Sequence, residues 1–451
     1  MVANPVSTSK PIVVISCPPA TGHTNPLLAQ STHLVSRGFE VHFIAGPESE
    51  HAILKTGAAF YPVHSTWSAE KHEQMMAIPE GPERFIFGLK GHFVDVTPNS
   101  FPALVNVLEA VKEKSPDRDV VILQESAAMS VGPFFLGAPL PKGYTSLPKI
   151  VTFSTVPLVV SSLDHPPFGP GLPPDASDEG RARNRAMYDA GKPLWDAVAA
   201  YVTEVYATLG ATRAFSGALM DSVITNADVY LQSCSQSLEH PRSDLPANIR
   251  FVGAHPRKEI THDIALPAWW GEMLAAKKEG KKVVFVTQGT FQVDYGMLVK
   301  PTIEALAGRQ GGDCFVIAAL GVRGATLEGF TLPENARVVD YLLYDAVLPH
   351  VDVFVSNAGY GGFLHGVMHG VPMVLGGMGQ DKAEVCARGQ WAGIAINLKT
   401  DTPTVEAIRD AVNTVLTEPK YKERCVEIQR ENEALDSRAQ VERAILEFAR
   451  P

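Results

Sequence analysis

Two groups of residues in this chain have the types and spacing for chemistry. The first is Val355-Ser356-Asn357-Ala358-Gly359-Tyr360-Gly361-Gly362, where an apolar, strand-like run ends in three glycines within four residues. A segment readable as a helix, Phe363 to His369, follows it. Glycines at a strand-to-helix turn let backbone N–H groups approach an anion, and the helix N-terminus adds a favourable dipole. Such a turn suits a diphosphate, although turns of this composition are more often plain loops. It is not a dinucleotide fingerprint, because Leu364 stands where the last glycine of G-x-G-x-x-G would fall. Gly370-Val371-Pro372, a buried-strand pattern through Leu375, and then Asp381 and Lys382 lie downstream.

The second group follows the first apolar run, as Pro18-Pro19-Ala20-Thr21-Gly22-His23-Thr24-Asn25-Pro26. In open α/β sheets ligands gather at the carboxyl ends of strands, where His23 falls. Histidine is the side chain whose ordinary pKa suits taking a proton from a hydroxyl near neutrality. A catalytic histidine needs a carboxylate to fix its tautomer and stabilise its charged form. The run Val120 to Leu123 ends in Gln124-Glu125-Ser126, making Glu125 the nearest candidate. The competing reading of Glu125 is a helix-start residue, favourable by dipole alone. Thr287-Gln288-Gly289-Thr290, after another apolar run, offers a hydroxyl and a glycine backbone to phosphate oxygens.

These groups need a scaffold of strands. Pro11 to Ser16 is a near-continuous β-branched run of the kind buried in a parallel sheet. Thr24 to Arg37 has helical spacing and stops at Gly38, and Phe39 to Ile44 reads as the next strand. Strand patterns recur at Val120 to Leu123 and Lys149 to Phe153. They return at Lys282 to Thr287, Cys314 to Ala319, Ala336 to Val339, Val351 to Val355 and Pro372 to Leu375. Two tandem open α/β sheets fit this alternation better than one large sheet. The Pro-containing turns between Pro241 and Lys282 mark the boundary. His165 to Pro174 holds five prolines and two glycines and must be irregular. Thr66 to Ser100 shows no clear periodicity and also reads as a long loop. Tyr421 to Phe448 reads as one charged amphipathic helix.

Composition narrows the classes. At 451 residues the chain is too long for one ordinary core. A formal net charge of −10 argues against a nucleic-acid partner, whose footprint is basic. Cys17, Cys234, Cys314, Cys386 and Cys425 are scattered, which suits a reducing, cytoplasmic setting and neither a disulfide framework nor a zinc motif. No apolar stretch reaches the roughly 18 residues of a membrane span, so no stable membrane insertion is expected.

With these motifs in place, the chain resembles the nucleotide-sugar-dependent glycosyltransferases of family 1 over nearly its whole length, most strongly from Val338 to Leu398. The resemblance implies an α/β fold of GT-B architecture, two Rossmann-like domains facing across a cleft. Residues 1–250 would bind the acceptor, 251–281 would link, 282–420 would bind the nucleotide sugar, and 421–451 would pack back on the first domain. It implies His23, in the Gly22-His23-x-Asn25-Pro26 motif, as the base, with Glu125 as its orienter. On the donor side it implies Gly289, Thr290, Tyr341 with Leu342 beside it, Asn357, Gly359, Tyr360, Gly361, Gly362, His365, Asp381 and Lys382. Tyr341 would stack on the base, His365 stands where members carry a ribose-binding Glu, and Asp381 would bind sugar hydroxyls. Gly22, Phe87, Phe93 and Phe153 are the expected acceptor contacts.

The implied reaction is an inverting, metal-independent transfer with no cofactor. A hexose would pass from UDP-glucose to a hydroxyl of a small hydrophobic acceptor such as a phenol or polyketide. Sterol or lipid glycosylation, a dTDP-sugar donor, UDP-sugar epimerisation and non-catalytic nucleotide-sugar binding are the competing readings.

Overall fold

A computed structural model of the protein describes residues 10–258, 260, 266–290, 292–308 and 314–449. Expectations for residues 1–9, for linker residues 259 and 261–265, and for 450–451 lie outside the described residues. The apolar runs form two wholly parallel sheets. The first contains β1 (Ile12–Ser16), β2 (Glu40–Ala45), β3 (Ala59–Pro62), β4 (Val120–Glu125), β5 (Lys149–Phe153), β6 (Val229–Gln232) and β7 (Ile249–Phe251). Their order across the sheet is β3-β2-β1-β4-β5-β6-β7. The second contains β8 (Lys282–Thr287), β9 (Cys314–Ala319), β10 (Ala336–Val339), β11 (Val353–Ser356), β12 (Met373–Leu375) and β13 (Ala395–Asn397), in the order β10-β9-β8-β11-β12-β13. Strands β1, β4, β9 and β11 are buried along their whole length, as their continuous hydrophobic character requires.

The strand orders locate the chemistry. Each sheet reverses its winding once, between β1 and β4 in the first and between β8 and β11 in the second. Chains leaving neighbouring strands at such a point diverge to opposite faces and leave a crevice. His23 follows β1 and Glu125 ends β4, while Gly289 follows β8 and the Asn357–Gly362 turn follows β11.

Several elements differ from the sequence-based reading. β7 runs to Phe251, so a boundary at residue 250 would cut the last strand of the first sheet. The linker span contains the Trp270–Lys278 helix, which packs on β8 and β9 and joins the second core through Met273. Thr66 to Ser100 is largely helical, with helices Ala69–Ala77 and Pro82–Leu89, a π-turn at Lys90–Val94 and a further helix from Thr97. Gly81, Pro82, Gly88 and Gly91 interrupt the apolar period there and hide it. The terminal segment is two helices, Pro419–Leu435 and Ser437–Phe448, broken at Asp436, whose φ is 49°. The second lies on the first domain, where Val441, Ala444 and Ile445 enter its core and Glu442 receives His33 and Arg37.

The domains are joined by buried charge. Arg388, on the Lys382–Trp391 helix, donates to Glu239 of the first domain at 2.6 Å and to Glu384 Oε2 at 2.8 Å. The other oxygen of Glu384 accepts from the N–H groups of Gly169 and Gly171 at 2.8 and 3.0 Å, pinning the proline-rich loop. All three ionic side chains are at most 1% exposed. Removing one member leaves its counter-charges buried, which costs more than the intact network contributes. Arg388→Met is therefore expected to lose about 3–5 kcal/mol in urea-induced unfolding. Adding Glu384→Gln should recover part of that loss, because Glu239 keeps the buried Arg242 as its partner whereas Glu384 loses its guanidinium. An unchanged midpoint for the single variant would show that the network does not hold the domains.

Candidate active site

The Thr21–Ser36 helix starts at the carboxyl end of β1 and places His23 in its first turn, facing the crevice. His23 Nδ1 lies 3.0 Å from Glu125 Oε1 and 3.1 Å from Thr155 Oγ1. Glu125 is fully buried, and each of its oxygens is occupied. Thr155 Oγ1 and Ser126 Oγ donate to Oε1 at 2.6 and 2.9 Å, and the Ala127 N–H donates to Oε2 at 2.8 Å. With the hydroxyl protons spent on the carboxylate, the His23 proton belongs on Nδ1, and Nε2 is free to accept one.

Burial works against the charged imidazole of His23, but the charge and hydrogen bond of Glu125, with Asp381 beyond, outweigh it and raise the pKa. Burial likewise opposes the Glu125 carboxylate, yet His23, Thr155 and the Ala127 N–H together hold its pKa below the usual range. The Glu125 carboxylate thus ends β4 against His23 Nδ1 and does not start a helix. Thr155 was missed in the sequence, although its position just after β5 obeys the same strand-end rule that exposed Glu125.

Aromatic side chains wall the crevice beside His23. Phe93 sets its ring edge-on to His23 at 5.3 Å, and Trp67 stacks on His92 at 3.7 Å. Phe87 meets the Trp67 ring at 6.2 Å. A Cβ on Gly91 would come within 2.4 Å of Trp67 Cζ3, so only glycine lets the indole lie there. Burial, with the nearby His23 charge, pushes His92 down to about 4, so it lines the wall as a neutral ring. Phe153 does not belong to this wall. It is fully buried in the core with Val151 and Leu231 and presents no surface.

On the second domain, the Tyr360–Met368 helix has Gly359 as its N-cap, so its first N–H groups open toward the crevice. Ala358, at φ 62°, turns the chain into this helix. Asn357 donates from Nδ2 to the Gln288 carbonyl at 2.6 Å and ties the β11 turn to the β8 turn. Gly289 and Gly359 flank Asn357 Oδ1, where a Cβ on either would make only ordinary van der Waals contact at 4.0 Å. Gln288, Asn357, Gly377, Lys382 and Asp401 line a cavity of about 30 Å³ beside these turns. Thr290 is exposed at its edge.

Asp381 and Lys382 stand at the start of the next helix, after Gln380 at φ 49°. Burial raises the Asp381 pKa and lowers that of Lys382. Glu80, from the first domain, reaches across so that a Cβ on Gly379 would meet its carboxylate at 2.3 Å. Tyr341 is 38% exposed, with the Arg323 guanidinium 4.5 Å above its ring. Leu342 is buried beneath it. His365 meets the Tyr344 ring edge-on at 5.3 Å. The Tyr360 side chain departs from the sequence reading. It is buried against the first domain and accepts from Gln232 Nε2 at 3.0 Å, leaving only its backbone at the turn.

Comparison with known proteins places this geometry. Residues 312–448 match the family described as erythromycin biosynthesis protein CIII-like, C-terminal domain. UDP-glucosyltransferase 1 of Beauveria bassiana (strain ARSEF 2860) is 40% identical over 457 residues, covering 100% of this chain and 98% of that protein. The 4'-demethylrebeccamycin synthase of Lentzea aerocolonigenes is 33% identical and covers 94% of this chain and 96% of its own. Among solved structures, the glycotransferase of kitacinnamycin matches with a TM-score of 0.69 and 20% identity, over 97% of this chain and 99% of that one. Spinosyn rhamnosyltransferase SpnG, complexed with spinosyn aglycone, matches at 0.65 with 15% identity, over 96% and 99%. Identity at this level along the whole length, on a two-sheet GT-B fold, shows that the chain belongs to the family 1 UDP-glycosyltransferases.

Proposed function

We propose that the enzyme moves glucose from UDP-glucose to a hydroxyl of a small hydrophobic acceptor, with inversion and without a metal in the transfer step. The observation that carries this reading is the His23–Glu125–Thr155 contact at one winding reversal, facing Asp381 and the glycine turn at the other. His23 Nε2 takes the proton of the acceptor hydroxyl, and its oxygen attacks the anomeric carbon from the face opposite the diphosphate. The bond from that carbon to the diphosphate breaks, and UDP departs with the electron pair. N–H groups at the start of the Tyr360–Met368 helix, with Asn357 and Thr290, take up the developing charge. Tyr341 stacks the base, His365 faces the ribose, and Asp381 with Lys382 binds sugar hydroxyls.

The UDP-glucosyltransferase names of the relatives favour this donor, and 4'-demethylrebeccamycin synthase favours a natural-product acceptor. The aromatic wall of Trp67, Phe87, His92 and Phe93 supports an acceptor with a flat apolar body. Among the described residues no helix is long and apolar enough to cross a membrane. The five cysteines are buried free thiols, in keeping with a reducing compartment.

His23→Ala should lower kcat by about 10²–10⁴-fold, the range for general-base loss, while UDP binding persists. Product formation is read by mass spectrometry with UDP-glucose and a panel of phenols, and a variant as active as the parent would remove His23 as the base. Because His23 must be neutral to act and its pKa is raised above the ordinary 6.5, activity should fall as pH drops through a value above 6.5. Glu125→Gln removes the charge that sustains this shift, so the acid limb should move to lower pH and kcat should fall. An unmoved limb would mean that another group controls it. Gly91→Ala should displace Trp67 and raise the acceptor KM several-fold with the UDP-glucose KM unchanged. An equal rise in both constants would place the aromatic wall outside the acceptor pocket.

A further inference from the structure

His365 and His369 stand one helical turn apart at the end of the Tyr360–Met368 helix, so both imidazoles leave the same face. Asp345, in the first turn of the Tyr344–Val347 helix, meets them. Its Oδ1 lies 3.0 Å from His369 Nε2 and 3.7 Å from His365 Nδ1, and the three ligand atoms all fall within 4.8 Å of one another. The side chains of Asp345 and His369 are 7% and 3% exposed, whereas that of His365 is 38% exposed. Two groups are therefore fixed by packing, and the third is partly exposed beside the Tyr344 ring.

A tetrahedral Zn²⁺ with bonds of about 2.0–2.1 Å requires donor atoms about 3.3 Å apart. The two separations from Asp345 bracket that distance, and rotation of the exposed His365 ring closes the third. His369 hydrogen-bonds Asp345 Oδ1, whereas His365 Nδ1 meets the same oxygen at ion-pair distance, beyond that of a hydrogen bond, so one carboxylate oxygen faces two imidazoles.

We propose that Asp345, His365 and His369 bind a Zn²⁺-class divalent ion through Oδ1, Nδ1 and Nε2, and that the bound ion excludes the nucleotide from His365. The proton that His369 Nε2 shares with Asp345 moves to Nδ1 of the same ring, so that Nε2 coordinates the ion as a neutral imidazole. The ion takes no part in sugar transfer and acts as an inhibitor. The exclusion rests on the donor-side reading above, whereas the metal site stands apart from it.

The test begins without nucleotide. The full chain, freed of metal by dialysis against chelator, is titrated with Co²⁺ as a spectroscopic probe and then with Zn²⁺. One equivalent of Co²⁺ should develop visible d–d bands that Zn²⁺ abolishes. His365→Ala and Asp345→Asn should each weaken binding by more than the about 10–100-fold that outer-shell contacts carry. His365 is exposed, so a thermal melt of His365→Ala will establish that this variant is folded. Absence of saturable binding, or binding undiminished in folded His365→Ala, overturns the site. UDP affinity is then measured by calorimetry with and without saturating Zn²⁺, and a loss of about 10-fold or more is expected, as for linked sites. UDP affinity unchanged with the site filled overturns the exclusion. A chain that binds Zn²⁺ but never UDP overturns the exclusion through the donor reading itself, with the metal site upheld.

Discussion

A guanidinium sealed between two domains sets the geometry on which everything else depends. Arg388 lies on the helix that begins at Asp381 and Lys382, and it reaches Glu239 and the Leu158 carbonyl of the opposite domain. Taking such charges out of water costs several kcal/mol per ion, and only complete hydrogen bonding offsets it. Completeness is therefore a positional constraint. Glu384 must sit where it can receive both Gly169 and Gly171, and Gly171 can take its place only because it has no Cβ, which would fall 2.4 Å from the Ala383 carbonyl oxygen. The helix that presents the donor-side residues is thereby locked to the loop of the acceptor-side domain. His23 and Asp381 share one crevice because of a contact that neither residue makes.

Inside that crevice the electrostatics single out one histidine. Burial depresses His92, His165, His240 and His255, pushing them to values of about 3 or 4. His23 suffers the same desolvation but is raised, because a fully buried carboxylate lies against its Nδ1. That carboxylate persists only because hydroxyl and backbone donors from β4 and the β5 end surround it. A glutamate spans the gap to the histidine and still turns its second oxygen to the Ala127 N–H. The proposed proton acceptor is thus positioned by the two strand ends together.

What the sequence disclosed followed from how local each cause is. The glycine turn and the continuous apolar strands act through backbone conformation and the burial of neighbours in sequence, so both are legible in a single chain. Strand ends are legible as well, which is why His23 and Glu125 stood out. Side-chain direction was not. Phe153 follows Thr152 at the end of β5, and which of the two faces the core depends on register with β4 and β6. Tyr360 sits in a donor turn, yet its ring serves the seam with Gln232, more than a hundred residues away. The break between the terminal helices was hidden because Asp436, a residue that tolerates the left-handed region, replaces the glycine that usually signals it. Glu239, Glu384 and Arg388 look like ordinary surface charges until the domains meet.

The two halves of the crevice are made of different material, and this decides where specificity can reside. The donor side is largely backbone, with Ala358 and Gln380 held at positive φ. Gly321 is packed so tightly that a Cβ would fall 2.0 Å from the Gly289 carbonyl. Strain of this kind persists only where the surroundings over-determine it, so nearly any change there moves the chain and not merely a contact. The proposed acceptor side is built from the side chain of Trp67, in the loop before the Ala69–Ala77 helix, and those of Phe87, His92 and Phe93 on the short helical segments that follow. Those rings can be exchanged without disturbing either sheet. On the proposed reading, a fixed backbone cradle facing a replaceable aromatic wall gives one way to hold a nucleotide and many ways to shape what receives the sugar. Discrimination among acceptors would then reside in residues 66–100.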